Sequence, residues 1–129
     1  MERLREAVQS ALIEPTLEIR PGSAVGRFRF DEEFVGFEGH FPGRPILPAV
    51  VQIMAALQTA ASVWQDLSVD ASSVDKAKFL LPVVPGDEIE IHCTRTEAGG
   101  TPGLTARVLL RGEPAASFTV AAGSGEGVK

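Results

Sequence analysis

Residues 39–48 read Gly39-His40-Phe41-Pro42-Gly43-Arg44-Pro45-Ile46-Leu47-Pro48, so a histidine leads through a glycine- and proline-stiffened loop straight into an apolar segment. Imidazole titrates near neutral pH, which gives His40 the chemistry of a general base. Pro48 suits the first position of a helix, where its missing N–H is no loss. The first backbone N–H groups of that helix have no intrahelical acceptor, and they form a ready site for a developing oxyanion. A lone loop histidine is more often a structural residue, so the flanking pattern has to decide between the two readings.

The other chemistry-bearing residues are few. His92 falls on the polar face of an alternating segment and is expected to be exposed. Cys93 falls on the inward face and reads as a small buried hydrophobe rather than a nucleophile. As the single cysteine it forms no internal disulfide, which fits a reducing compartment. Two distant histidines and one cysteine do not make a metal site. There is no phosphate loop and no dinucleotide fingerprint, so no cofactor is expected. Asp31, Glu32, Glu33 and Glu38 precede the histidine, and they read more readily as a solvated acidic loop than as site carboxylates. The formal net charge of −5 argues against nucleic acid or an anionic membrane as the main partner. No apolar run approaches the ~20 residues that span a bilayer. The charged start, Glu2, Arg3, Arg5 and Glu6, is not that of a signal peptide. A cytoplasmic location is expected.

The elements that must position the loop follow from periodicity. The 129 residues suit one domain over 1–129, able to bury roughly two-thirds of its unfolded surface. Residues 2–12 read as an amphipathic helix with Leu4, Val8, Ala11 and Leu12 on one face. Strands are expected at 16–20 and 24–30, joined by Pro21-Gly22-Ser23 as a hairpin; Ala24, Gly26, Phe28 and Phe30 share one face. Residues 31–47 form a long loop, a length that is usually functional. From Ala49 to about Gln65 the chain is apolar nearly all round, with Gln52 and Gln58 as the strongly polar exceptions, and so reads as a buried helix. Then come a strand at 74–81, a stiff turn at 82–87, an alternating strand at 88–96 and a loose loop at 97–103. Strands at 104–111 and 115–122 are joined by Gly112-Glu113-Pro114, and the tail 123–129 is expected to fray.

A helix apolar on all sides cannot be covered by one face of a small flat sheet. Either the sheet wraps around it or a partner subunit covers the remainder. The residues around His40 (Gly39, Phe41, Pro42, Gly43, Pro45 and Pro48) identify a known pattern. So does a second block, Val74-Asp75-Lys76-Ala77-Lys78-Phe79 followed by Pro82-Val83-Val84-Pro85-Gly86-Asp87. Together they resemble the hotdog-fold 3-hydroxyacyl-[acyl-carrier-protein] dehydratases, closely over about residues 23–92 and loosely over the last two strands. The resemblance implies an α+β hotdog fold, an antiparallel sheet wrapped around one long buried helix. It implies a hydro-lyase of fatty-acid or polyketide-type synthesis acting on acyl-carrier-protein or coenzyme A thioesters. The assembly it implies is a homodimer, with a trimer of dimers or a heterodimer as alternatives.

Residue by residue, the resemblance makes His40 the base and the Ala49 backbone N–H the oxyanion donor, where the family has glycine. Phe41, Gly43, Pro48, Val50, Ile53 and Phe79 become substrate-binding residues. Arg44, Lys76 and Lys78 become candidates for carrier binding, beside the plainer reading of ordinary solvated charges. The family's acid, fourteen positions after the histidine, is replaced by Met54. A thioether donates no proton, and Met54 by itself reads as a core residue. Gln58 lies one turn further on the same face and could hold a water, but an amide is no general acid. The family's N-terminal His-Arg-Tyr-Pro segment is absent. Three functions are therefore in play: a dehydratase, an acyl-binding or partner subunit that supplies His40 to a heterodimeric site, and, last, a thioesterase.

Overall fold

A computed structural model of the chain describes residues 2–13, 18–37, 45–64, 67–98 and 101–124. The elements run α1 (Glu2–Ser10), β1 (Glu18–Arg20), β2 (Ser23–Arg29), a short 3-10 turn (Val35–Phe37), α2 (Ala49–Val63), β3 (Leu67–Phe79), β4 (Glu88–Ala98), β5 (Thr101–Leu110) and β6 (Glu113–Ser124). The six strands form one sheet in the order β1-β2-β4-β5-β6-β3, with every neighbouring pair antiparallel.

Alternation dictates the sheet's inner face. Ala24 and Phe28 of β2, Ile89, Ile91 and Cys93 of β4, Leu104, Ala106 and Val108 of β5, and Phe118 and Val120 of β6 are all buried. They pack on α2 through Val51, Met54, Ala55, Ala56, Leu57 and Ala60. Gly26 is needed where α2 crosses β2, because a Cβ there would collide with the Thr59 side chain. Past β2, Phe30, Phe34 and Phe37 stack edge to face, with ring centroids 4.6 and 5.6 Å apart. They turn the start of the 31–47 loop inward. Val8 of α1 is fully buried, and Gln58 Nε2 donates to the Arg5 carbonyl at 3.0 Å, so α1 is tied to α2.

Several expectations need correction. The first helix stops at Ser10 rather than residue 12, because Leu12 leaves the helix to bridge to Phe28 of β2. Pro48 is the N-cap and not the first helical residue: its ψ of 153° is extended, while its carbonyl accepts from Val51 and Gln52 N–H at 3.1 and 3.3 Å. The strand expected from Val74 begins at Leu67. Residues 67–72 do alternate, Leu67, Val69 and Ala71 against Ser68, Asp70 and Ser72, and the β3–β6 ladder is broken by register shifts, with Lys76 at a φ of 55°.

The segment at 97–103 is not a loose loop, since pairing of β4 with β5 runs out to Ala98 and Thr101. Gly103 lies in a strand where a Cβ would overlap the Val120 carbonyl, and residues 99–100 lie outside the described residues. The last turn is Arg111-Gly112, both at positive φ (51° and 81°), and Glu113-Pro114 belong to β6. The expected tail contributes Gly123 and Ser124 to β6, while residues 125–129 lie outside the described residues, as do Thr16 and Leu17.

The Arg111-Gly112 turn makes a simple prediction. With φ at 81° and open space around it, Gly112→Ala meets no neighbour and suffers only the left-handed backbone penalty. It should cost about 1–2 kcal/mol of unfolding free energy in urea titration, with the sheet otherwise unchanged.

Candidate active site

The loop exit, the first turn of α2 and the end of β3 meet in one apolar groove. Ile46, Leu47, Pro48, Ala49 and Gln52 form one wall, and Phe79, Leu80, Leu81 and Pro82 the other, around a volume of about 430 Å³. Local chemistry fixes both walls. The Leu47 N–H donates to the Val83 carbonyl at 2.7 Å, so the loop exit is pinned to the turn after β3. Leu80 and Leu81 N–H share the Ala115 carbonyl at 2.8 and 3.2 Å, which bends the chain away from β6. The Phe79 ring lies against Phe118 at 6.1 Å, in a near-parallel stack. The turn closes with the Val84 N–H on Asp87 Oδ2 and the Gly86 N–H on the Phe30 carbonyl.

Of the residues singled out from sequence, Pro48, Ala49 and Phe79 line this groove. Because the helix begins with Pro48 as its cap, the N–H groups of Ala49 and Val50 have no intrahelical acceptor. Val50 is 47% exposed beside the groove, and Ile53 is partly buried against the core. Met54 is 7% exposed and sits in the core cluster. Gln58 points its amide nitrogen at α1. Lys76 and Lys78 lie on the exposed part of β3 and do not line the groove; the Lys76 N–H is held by Asp75 Oδ1 at 2.9 Å. His40, Phe41, Gly43 and Arg44 lie outside the described residues, as does Glu38.

No acidic side chain is among the described residues lining the groove. Asp31 and Glu33 line a separate cleft of about 450 Å³ with Arg3, Glu6 and Arg29, beside α1. His92 is only half exposed, not free in solvent: its Nε2 lies 3.1 Å from Glu90 Oε1 on the outer face of the sheet. That imidazole is the main reason the Glu90 carboxyl is held below the usual carboxylate range. Burial pushes the Cys93 thiol up to about 12, so it is no nucleophile near neutral pH. Among the described residues no group of three His, Cys, Asp or Glu is placed to hold a metal ion.

Sequence reasoning missed Gln52 as a site residue. It is 4% exposed, it lines the groove, and its Oε1 has no hydrogen-bond partner. The signal was present, since a glutamine one turn into an otherwise apolar segment is out of place in a core.

Comparison with known proteins follows the same lines. The family model of the ApeI-like dehydratases matches residues 17–109. A 3-hydroxyacyl-[acyl-carrier-protein] dehydratase FabZ of Dechloromonas aromatica is 33% identical over 105 residues, 71% of each chain. A FabZ of Rhodopseudomonas palustris is 38% identical over 95 residues, which are 66% of this chain and 62% of that one. In three dimensions the chain is similar to the dehydratase heterocomplex ApeI:P from Xenorhabdus doucetiae. The TM-score is 0.72 at 26% identity, covering 85% of this chain and 94% of the other. With a match over most of its length and the hotdog sheet-and-helix architecture, the chain belongs to the ApeI-like dehydratase family.

Proposed function

We propose that this hydro-lyase eliminates water from a 3-hydroxyacyl thioester carried on acyl carrier protein, giving a trans-2-enoyl thioester for fatty-acid or polyketide-type synthesis in the cytoplasm. The observation that carries the reading is the apolar groove laid across the N-terminus of α2, with the Ala49 and Val50 N–H groups left over by the Pro48 cap. A thioester carbonyl on the Ala49 N–H has its developing negative charge stabilised where the helix dipole is positive. His40 takes the proton from the carbon next to the carbonyl, the C2–C3 double bond forms, and the C3–O bond breaks. The departing hydroxide needs one proton to leave as water; the Met54 thioether cannot supply it, so it comes back from the His40 imidazolium or from an acid on a second subunit.

Assembly bears on that missing proton. β3 is an edge of the sheet, and its second half with the residue after it, 73–80, is exposed, including Val74, Phe79 and, most of the three, Leu80. An edge strand with apolar side chains invites pairing with a second chain. We read it as the contact of a dimer, with Lys76 and Lys78 on the same strand available to an acidic carrier. A second reading is favoured by Met54: a different hotdog subunit supplies the acid, and this chain supplies His40. Coenzyme A in place of the carrier, and a trimer of dimers in place of a dimer, are variants of the same proposal.

The test is a dehydration assay on 3-hydroxyacyl-carrier-protein, following the enoyl product. The wild type should turn over and His40→Ala should lose about 10²–10⁴-fold, the usual contribution of a general base. Unchanged turnover in His40→Ala would overturn the mechanism. A wild-type chain that is silent alone and active once mixed with an acid-bearing hotdog subunit would select the second reading.

A further inference from the structure

The groove contains one polar side chain among its described lining residues, that of Gln52. In a helix each Cα–Cβ bond tilts toward the N-terminus, so this side chain lies back over the first turn. Its Nε2 accordingly reaches the Leu47 carbonyl, though at 3.4 Å, the long limit of a hydrogen bond. Its Oε1 is buried and has no donor. Exchanging the two amide atoms would set Oε1 against the Leu47 carbonyl oxygen, lone pair against lone pair, so the orientation is fixed by chemistry. A buried acceptor left unpaired destabilises a fold, and an apolar residue of the same size would fill the space without that penalty. The amide is also weakly tethered, so a small rotation brings Oε1 to whatever donor enters the groove.

We infer that Gln52 is the residue that recognises the substrate's 3-hydroxyl group. This rests on the dehydratase reading above. Residues three apart on a helix are neighbours, with roughly 5–6 Å between their Cβ atoms. Ala49 and Gln52 are such a pair. In a 3-hydroxyacyl thioester the hydroxyl sits on the second carbon beyond the carbonyl, close enough for one helical turn to reach both groups. With the carbonyl on the Ala49 N–H, the hydroxyl donates to Gln52 Oε1, and the alkyl chain runs along Phe79 and Leu81. Gln52 neither gives nor takes a proton. It orients the C3–O bond and holds the hydroxyl, in a chain whose helix carries Met54 in place of a carboxylate. It is also a specificity device, because a site built around an acceptor disfavours ligands that bring no donor.

Binding of two pantetheine amides, 3-hydroxyoctanoyl and octanoyl, measured by calorimetry, tests this without turnover. The wild type should prefer the hydroxylated ligand by about 10-fold, the scale of one well-made hydrogen bond. Gln52→Met should erase that preference while keeping octanoyl binding, and its melting temperature should stay near that of the wild type, since the orphan Oε1 is gone and only the long 3.4 Å bond to the Leu47 carbonyl is lost. Gln52→Leu repeats the test with a second shape. A preference that persists in both variants, or is absent from a wild type that binds both ligands, overturns the inference and leaves the dehydratase reading standing. A wild type that binds neither ligand overturns both.

Discussion

Met54→Glu should raise water elimination by about 10²–10⁴-fold over the wild type assayed alone, the gain that a general acid usually contributes. Met54 lies in the core cluster at 7% exposure, five residues along α2 from Ala49 at the helix start. A carboxyl placed there is desolvated, and desolvation disfavours the charged form, so its pKa rises. It therefore keeps its proton near neutral pH, which is the state an acid must start from. The same burial costs stability on the order of 1–3 kcal/mol, so the variant should be faster and less stable at once. Met54→Gln has the same size and no proton to give, and its rate should stay at the wild-type level. An enoyl-product assay with both variants, alongside urea melts, checks the pair of effects. No gain in Met54→Glu with the fold intact would mean that this helix position does not face the reacting carbon.

How much of this was legible in the sequence differs by element, for physical reasons. The strands with clean alternation, Ala24-Gly26-Phe28 and Ile89-Ile91-Cys93, were readable because a period of two survives only when one face is buried. The helix from Ala49 was readable from its apolar density, and Met54 as a core residue followed from it. The failures sit where pairing geometry overrides local pattern. Leu67–Ser73 is the exception: it was passed over although it alternates as far as Ser72, and its ladder with β6 is irregular. Gly103 and Pro114 look like loop residues and lie in strands, one because there is no room for a Cβ and one beside a bulge. In the groove, Pro48, Ala49 and Phe79 came from the resemblance. Gln52 stood out in the sequence as a polar exception, but its place in the site rests on its orphaned Oε1 and its position in the wall. Gln58 looked equivalent by helical phase, yet its amide is turned to the Arg5 carbonyl, a contact no sequence spacing announces.

Phe118→Ala should remove about 3–5 kcal/mol of unfolding free energy, the range for a fully buried aromatic side chain. Phe118 is 1% exposed in the middle of β6, and its ring is packed between the core and the half-exposed Phe79. Alanine deletes the transfer free energy of the ring and leaves a cavity under a strand that is paired on both sides. The two neighbouring contacts respond differently. On the core side Ala106 is paired directly opposite and is too small to fill the space. On the outer side Phe79 loses the ring it stacks on, and it is free to drop into the hole because β3 is an edge strand. Phe79 is also a wall of the groove, so its collapse should narrow the site as well as soften the fold. Urea titration should give the free-energy loss with an m-value near that of the wild type. Octanoyl-pantetheine binding, measured well below the unfolding midpoint, should weaken in parallel. Phe118→Leu, which keeps most of the buried volume, should recover most of the stability and less of the binding, because the flat platform under Phe79 is still missing. If both variants bind as the wild type does, Phe79 does not depend on Phe118 for its position, and the groove wall is set by the Leu80 and Leu81 hydrogen bonds to Ala115 alone.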